Sequence, residues 1–291
     1  MTHFTDESQK AIAELARQDA ARALQEDVGN GDLTAGLIDP VRRARALILA
    51  RESAVLCGAP WLEEAVHQLD PQARITWLVA EGQRCVADQV VAEIEGQARA
   101  LLTAERTALN YLQLLSGVAT TTAMYVDAVK GTRARIVDTR KTLPGLRLAQ
   151  KYAVRTGGGT NHRIGLYDAV LIKEKHIAAA GGVAPVLQAA AQLMREGAAQ
   201  AAFVEIEVET LVQLDEALQA GATMVLLDNM DIPGLNEAVR LNAGRAILEI
   251  SGGVTLKSLR ALAETGVDRI SIGALTKDVK AIDFSMRFQE L

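Results

Sequence analysis

Residues 203–228, FVEIEVETLVQLDEALQAGATMVLLD, carry the pattern that decides the architecture. A short β-rich run, Phe203–Val208, gives way to a helix-forming stretch, Leu211–Ala220, and then to a fully apolar run, Met224–Leu227. Gly221 falls just after the helix and before the strand, where a helix C-cap glycine belongs. Working outward, the same rhythm predicts strands at Ala134–Asp138, Ala169–Ile172, Ala246–Ile250 and Arg269–Ile272. Helices are expected near Leu146–Arg155, Val183–Glu196, Asn236–Asn242 and Leu256–Glu264, with Gly244 and Gly266 repeating the cap. Apolar strands separated by helices are the mark of βα units and a parallel sheet. Six such units predict an α/β fold, an incomplete (open) barrel, with a doubly wound open sheet as the alternative.

The first third reads differently. A helix is expected over residues 6–26, then a turn-forming stretch, Glu26–Thr34. Strands are predicted at Ala44–Ala50, Arg74–Val79, near Gln89–Ile94 and at Ala98–Leu102, with a helix at Ala59–Leu69 and a long one at Ala104–Val129. The expected division is an N-terminal α+β sandwich domain (1–105), a barrel (106–275) and a tail (276–291) packing back on the first domain. With 291 residues, 49% of them hydrophobic, the chain can bury such cores without staples. Cys57 and Cys85 read as reduced, packed thiols. No secretory signal or bilayer-spanning run is visible, so a cytoplasmic location is expected. Aromatics at 3% and a net charge of −5 argue against nucleic acid and acidic membranes as partners.

Polar groups gather where each predicted strand ends: Asp138-Thr139-Arg140-Lys141, Lys173-Glu174-Lys175-His176, Glu205, Glu207 and Glu209, Asp228-Asn229, Ser251-Gly252-Gly253, and Gly273-Ala274. Strand C-termini are where α/β barrels build active sites. Residues 133–175 hold ten basic side chains against Asp138, Asp168 and Glu174, a local +7 in a chain of net charge −5. A small polyanionic ligand fits that imbalance. Arg147, Lys151 and Arg155, spaced by four, are expected on a solvated stripe. Gly157-Gly158-Gly159, followed by His162 and Arg163, suggests close backbone approach to an anion. The Ser251 and Ser271-Ile272-Gly273-Ala274 segments resemble a phosphate site built from late barrel loops. Alternation puts Glu205, Glu207 and Glu209 on one face, where with Asp228 they could hold Mg2+ through oxygens and water. His3, His67 and His176 are expected to be structural.

These segments together resemble the quinolinate phosphoribosyltransferases (nicotinate-nucleotide pyrophosphorylase, carboxylating). The resemblance spans Leu24–Thr34, Thr103–Ala119, Asp138–Ala153, Gly157–Gly165, Leu171–Ile177, Glu205–Glu209, Leu227–Asn229, Glu249–Val254 and Ser271–Thr276. It implies transfer of phosphoribosyl from phosphoribosyl pyrophosphate (PRPP) to quinolinate, with Mg2+ and loss of carbon dioxide. It implies a homodimer in which Arg106 reaches the neighbour's site. Quinolinate would be held by Arg106, Thr139, Arg140, Lys141, His162 and Arg163. PRPP would fall to Lys173, Glu207, Asp228, Ser251, Gly252, Gly253, Ile272, Gly273 and Ala274, with Lys141, Glu207 and Asp228 catalytic. A paralogue with another acceptor, a Schiff-base aldolase using Lys173 and a phosphometabolite sensor are the rival readings.

Overall fold

A computed structural model describes residues 6–196 and 201–290; His3 lies outside the described residues. The chain folds as two compact units. The first gathers the chain up to Thr121, Leu148–Gly157 and the chain from Val279 on; the second holds Thr122–Arg147 and Gly158–Asp278.

The first unit begins with α1 (Asp6–Val28), β1 (Arg43–Ala50), β2 (Ala54–Val55) and α2 (Ala59–His67). Next come β3 (Arg74–Trp77), β4 (Arg84–Cys85), β5 (Val90–Gln97) and α3 (Ala98–Ala128), which runs on past the division between the units. The last strand of the chain, here β12 (Phe284–Glu290), returns to pair antiparallel with β1, so the main sheet has the order β12-β1-β5-β3. Its inner face supplies Ile48, Ile94 and Phe284 to a core shared with Leu62, Leu101 and Leu112. Polar tethers accompany that apolar contact. Trp61 Nε1 donates to Asp19 Oδ2 at 2.9 Å and Tyr111 OH to the Asp19 carbonyl at 2.9 Å, tying α2 and α3 to α1. Cys57 and Cys85 are free and buried, and burial pushes both thiols up.

Ala98–Leu102, expected as a strand, is instead the first turn of α3. The segment holds alanine, arginine and leucine, good helix formers without a β-branched side chain. Leu101, Ala104 and Ala108 then fall at helical spacing into the core, while Leu102 is exposed.

The second unit contains β6 (Arg135–Val137), which is followed in the chain by α4 (Arg147–Thr156) of the first unit. After β7 (Val170–Ile172) come α5 (Glu174–Ala180) and α6 (Val183–Arg195). Then follow β8 (Val204–Val208), α7 (Leu211–Gln219), β9 (Met224–Asp228), α8 (Ile232–Asn242), β10 (Ile247–Ser251) and α9 (Leu256–Glu264). β11 (Arg269–Ser271) and the short α10 (Ala274–Lys277) complete the unit. Every predicted strand of this unit is present, with ends displaced by a residue or so. All six are parallel, in the order β6-β11-β10-β9-β8-β7. Strands β7 to β11 each pair with the next in sequence, and β6 pairs with β11. This is a barrel order with one gap, between β6 and β7, as an incomplete barrel requires. The open edge of β6 takes a single bridge, Val137 to Thr160.

Local chemistry fixes the connections. Thr210, Asp231 and Thr255 cap α7, α8 and α9 by accepting from backbone N–H groups three residues on. Gly221 and Gly266 follow helix ends at φ +83° and +92°, values that favour glycine. The stripe expected to be solvated is not: Lys151 is 3% exposed, and Arg147 donates to Thr142 Oγ1, Ile164 O and Arg140 O. Helical spacing places side chains on one face; what that face meets is a tertiary matter.

Candidate active site

Register brings the strand ends together. Leu171 is opposite Glu205 and Ile172 opposite Ile206, so Lys173 continues level with Glu207. Lys173 Nζ lies 2.5 Å from Glu207 Oε2. The Lys173 backbone N–H donates to His176 Nδ1 at 2.9 Å, which closes the start of α5 and gives His176 a structural role. Asp228 is opposite Ser251, whose Oγ donates to Asp228 Oδ1 at 2.9 Å. Asn229 donates to Asp228 Oδ2 at 3.0 Å and adopts a left-handed φ of +54°, backbone strain of the kind found at functional sites. Gly252, at φ +95°, has no room for a Cβ: one there would stand 2.1 Å from Asn229 Oδ1. Gly273 leaves space for the Lys141 side chain, whose Cδ would meet an added Cβ at 2.9 Å.

These groups surround a single cavity of about 830 Å³, a volume suited to small-molecule ligands. Its lining includes Thr139, Arg140, Lys141, His162, Arg163, Lys173, Glu207, Asp228, Ser251, Gly252, Gly253, Ile272, Gly273 and Ala274. Of the candidate residues, Arg106 is the exception, an exposed residue of α3 outside the lining. Tyr125 and Lys277 also line the cavity and were missed from sequence. Tyr125 lies within the long helix with no local motif. Lys277 ends the turn of helix that opens at Ala274, a spacing that could have flagged it.

Two expectations are corrected here. The glycine triplet does not line the cavity. Gly157 N–H closes the end of α4 on Ala153 O, and Gly158 turns the chain at φ +88° into the Thr160 bridge. The three alternating carboxylates do not form one cluster: Glu209 lies beyond the end of β8, and the three stand at different depths. Glu205 is fully buried, Glu207 lines the cavity and Glu209 is exposed outside it.

Electrostatics follow the depth. Arg140 and Arg163 lie together; the Arg163 guanidinium is pushed down by burial and by the like charge of Arg140. Among the described residues, Arg140 Nε is buried without a partner. Below them Glu205 and Glu249, both 0% exposed, face His162, and Arg269 Nε holds Glu249 Oε2 at 2.6 Å. Asp138, also buried, accepts from Asn161 Nδ2 at 2.5 Å and His162 N–H at 2.8 Å, so it secures the loop instead of facing the cavity. Burial pushes Glu205 and Glu249 each up to about 7. The folded protein therefore binds more protons than the unfolded chain from the usual carboxylate range up to about 7, and stability falls as pH rises through that window. Glu205→Gln removes one of these titrating groups. Its Tm relative to wild type should rise between about pH 5 and pH 7.5; a flat difference across that range would mean Glu205 does not titrate there.

Two family models match the chain: the quinolinate phosphoribosyl transferase N-terminal domain over residues 32–116 and the C-terminal domain over residues 118–287. The chain belongs to the quinolinate phosphoribosyltransferase family. A family member from Mycobacterium leprae, a nicotinate-nucleotide pyrophosphorylase (carboxylating), is 41% identical, covering 94% of this chain and 97% of its own. The probable nicotinate-nucleotide pyrophosphorylase of Bacillus subtilis is also 41% identical, over 90% of this chain and 89% of its own. Among solved structures, the nicotinate-nucleotide pyrophosphorylase of Francisella tularensis superposes with a TM-score of 0.91 at 44% identity, covering 95% of this chain and 97% of that one.

Proposed function

We propose that this chain is a quinolinate phosphoribosyltransferase (decarboxylating), joining quinolinate to PRPP to give nicotinate mononucleotide, pyrophosphate and carbon dioxide for NAD biosynthesis. The observation that carries this reading is one cavity holding paired arginines at one part and two carboxylates at another. Quinolinate bears adjacent carboxylates, and guanidinium forks bind carboxylates bidentately. Arg140, whose buried Nε has no partner among the described residues, and Arg163 suit that dianion, with Thr139 and Lys141 in the same lining. The Ser251-Gly252-Gly253 and Ile272-Gly273-Ala274 loops suit the 5′-phosphate of PRPP. Glu207 and Asp228 suit the ribose, and Lys173 the pyrophosphate.

Departure of pyrophosphate leaves positive charge on the ribose C1, which Glu207 and Asp228 stabilise where it develops. The ring nitrogen attacks C1, and the pyridinium so formed takes up the electron pair of the C2–carboxylate bond as carbon dioxide leaves; the resulting C2 carbanion is protonated from solvent water to give nicotinate mononucleotide. Binding places the partners; no covalent nucleophile on the enzyme is needed. The donor set at Glu207 and Asp228 fits Mg2+. Glu207 and Asp228 would hold it together with oxygens of the substrate, the usual manner for this ion. Mg2+, when bound, neutralises charge on the leaving pyrophosphate.

We further propose a homodimer in which Arg106, exposed and outside the lining of this chain's own cavity, enters the quinolinate site of a second copy. No single helix among the described residues is long and apolar enough to cross a membrane, and a cytoplasmic enzyme is the reading we favour.

Purified protein with Mg2+, PRPP and quinolinate should release pyrophosphate and carbon dioxide together, and nicotinate should not replace quinolinate. Preference for nicotinate would point to a paralogue, and PRPP binding without turnover to a sensor. Arg140→Ala should remove a charge-assisted contact of roughly 1.5–3 kcal/mol, mainly raising the quinolinate KM; an unchanged KM removes that assignment.

A further inference from the structure

His162 lines the cavity, yet both of its ring nitrogens are engaged inside the protein. The Arg163 backbone N–H lies 2.8 Å from Nδ1, and a backbone N–H can only donate. Nδ1 is therefore an acceptor, and the one N–H of a neutral imidazole sits on Nε2. Nε2 points at Glu205 Oε2, 2.8 Å away, with Glu249 Oε1 at 3.6 Å. An imidazolium would set Nδ1–H against the backbone N–H and break the bond at the root of Arg163. The ring is further fixed edge-on to Phe203, with centroids 5.3 Å apart, and its own backbone N–H is held by Asp138.

We infer that His162 is locked as the neutral Nε2–H tautomer and acts as a positioning residue that aims Arg163, in place of a cation touching the carboxylates of the acceptor. The same three side chains, His162, Glu205 and Glu249, offer ligand atoms within 4.8 Å of one another, a spacing that would also suit a divalent ion. The hydrogen on Nε2 and the Arg269 guanidinium on Glu249 fill that arrangement instead. The carboxyls facing Nε2 do not demand an imidazolium, since burial favours their neutral forms and Glu249 already has a positive partner in Arg269. Arg163 and Arg140, the charged groups on the cavity side, disfavour another cation between them and the acidic pair.

The kinetic arm of the inference rests on the reaction proposed above; the tautomer does not. The chain has four histidines, so 15N-labelled histidine spectra can be assigned by the signal lost in His162→Asn. Nδ1 should be unprotonated and Nε2 protonated between about pH 6 and pH 8, in the free protein and with quinolinate bound without PRPP. A doubly protonated ring in either state overturns the inference. In turnover, His162→Ala should raise the quinolinate KM by about 10²-fold, the scale of a misplaced binding group, with a smaller change in kcat. His162→Asn, whose Oδ1 stands where Nδ1 accepts, should recover most of that loss, and His162→Lys, which restores charge without an acceptor, should not. Recovery by lysine and failure by asparagine would overturn it. If the wild-type protein does not consume quinolinate, the reaction reading falls, and the spectrum, which needs no turnover, still decides the tautomer.

Discussion

Arg269→Ala should lower the free energy of unfolding by about 3–5 kcal/mol at pH 8, the usual cost of stranding a buried charge. Arg269 is the guanidinium that holds Glu249 across the β10–β11 register, and it lowers the proton affinity of Glu205 as well. Without it, two carboxyls that are 0% exposed face one neutral imidazole. They can escape by taking up protons, which is easy in acid and costly in base. The loss should therefore shrink sharply at about pH 5.5 and grow as pH rises, because removing a cation raises both carboxyls further. Urea denaturation of wild type and variant at the two pH values checks this. Equal losses at both would mean that packing of the arginine stem, not its charge, is what the sheet interior needs.

Glu207→Gln should cut kcat by about 10²-fold while leaving the KM of each substrate within a few-fold, because the carboxylate acts on charge that exists in the transition state. The amide preserves the size of the side chain and can still accept from Lys173, so the contact at 2.5 Å survives in weaker form. Glu209→Gln is the internal control: it lies just past the end of β8, exposed and outside the cavity, and should leave turnover intact. Steady-state kinetics of both variants separate the roles. Wild-type turnover by Glu207→Gln would remove the carboxylate from the chemistry.

Which strands exist, and which residues stand at their ends, was legible because both are local properties. A five-residue run such as Met224–Asp228 declares itself by its apolar side chains, and Asp228 by being the first polar residue after them. Depth was not legible. Alternation puts Glu205 and Glu207 on one side of β8 without saying that the first is sealed beneath the second, nor that Glu249 and Arg269 lie across from it. The role of Arg147 was hidden for the same reason: its acceptors are Arg140 and Thr142 in the loop leading into its helix and Ile164 beyond it, a convergence that helical spacing does not report. Ala98–Leu102 failed differently, since a run of small and aliphatic residues after a strand fits either state until Leu101 is seen in the core. The gap between β6 and β7 could be anticipated from six units; its position could not.

The pairing of β12 with β1 also constrains how the protein is made. β1 leaves the ribosome early, but its outer partner follows only after all six strands of the parallel sheet have been synthesised. During that interval β1 presents an unpaired row of N–H and C=O groups, the kind of edge on which nascent chains stick to one another. Arg43 and Arg45 stand along that strand, charged side chains of the type that discourage such pairing. Folding of the first unit is thereby completed late, and a chain cut before Phe284 would carry the adhesive edge permanently.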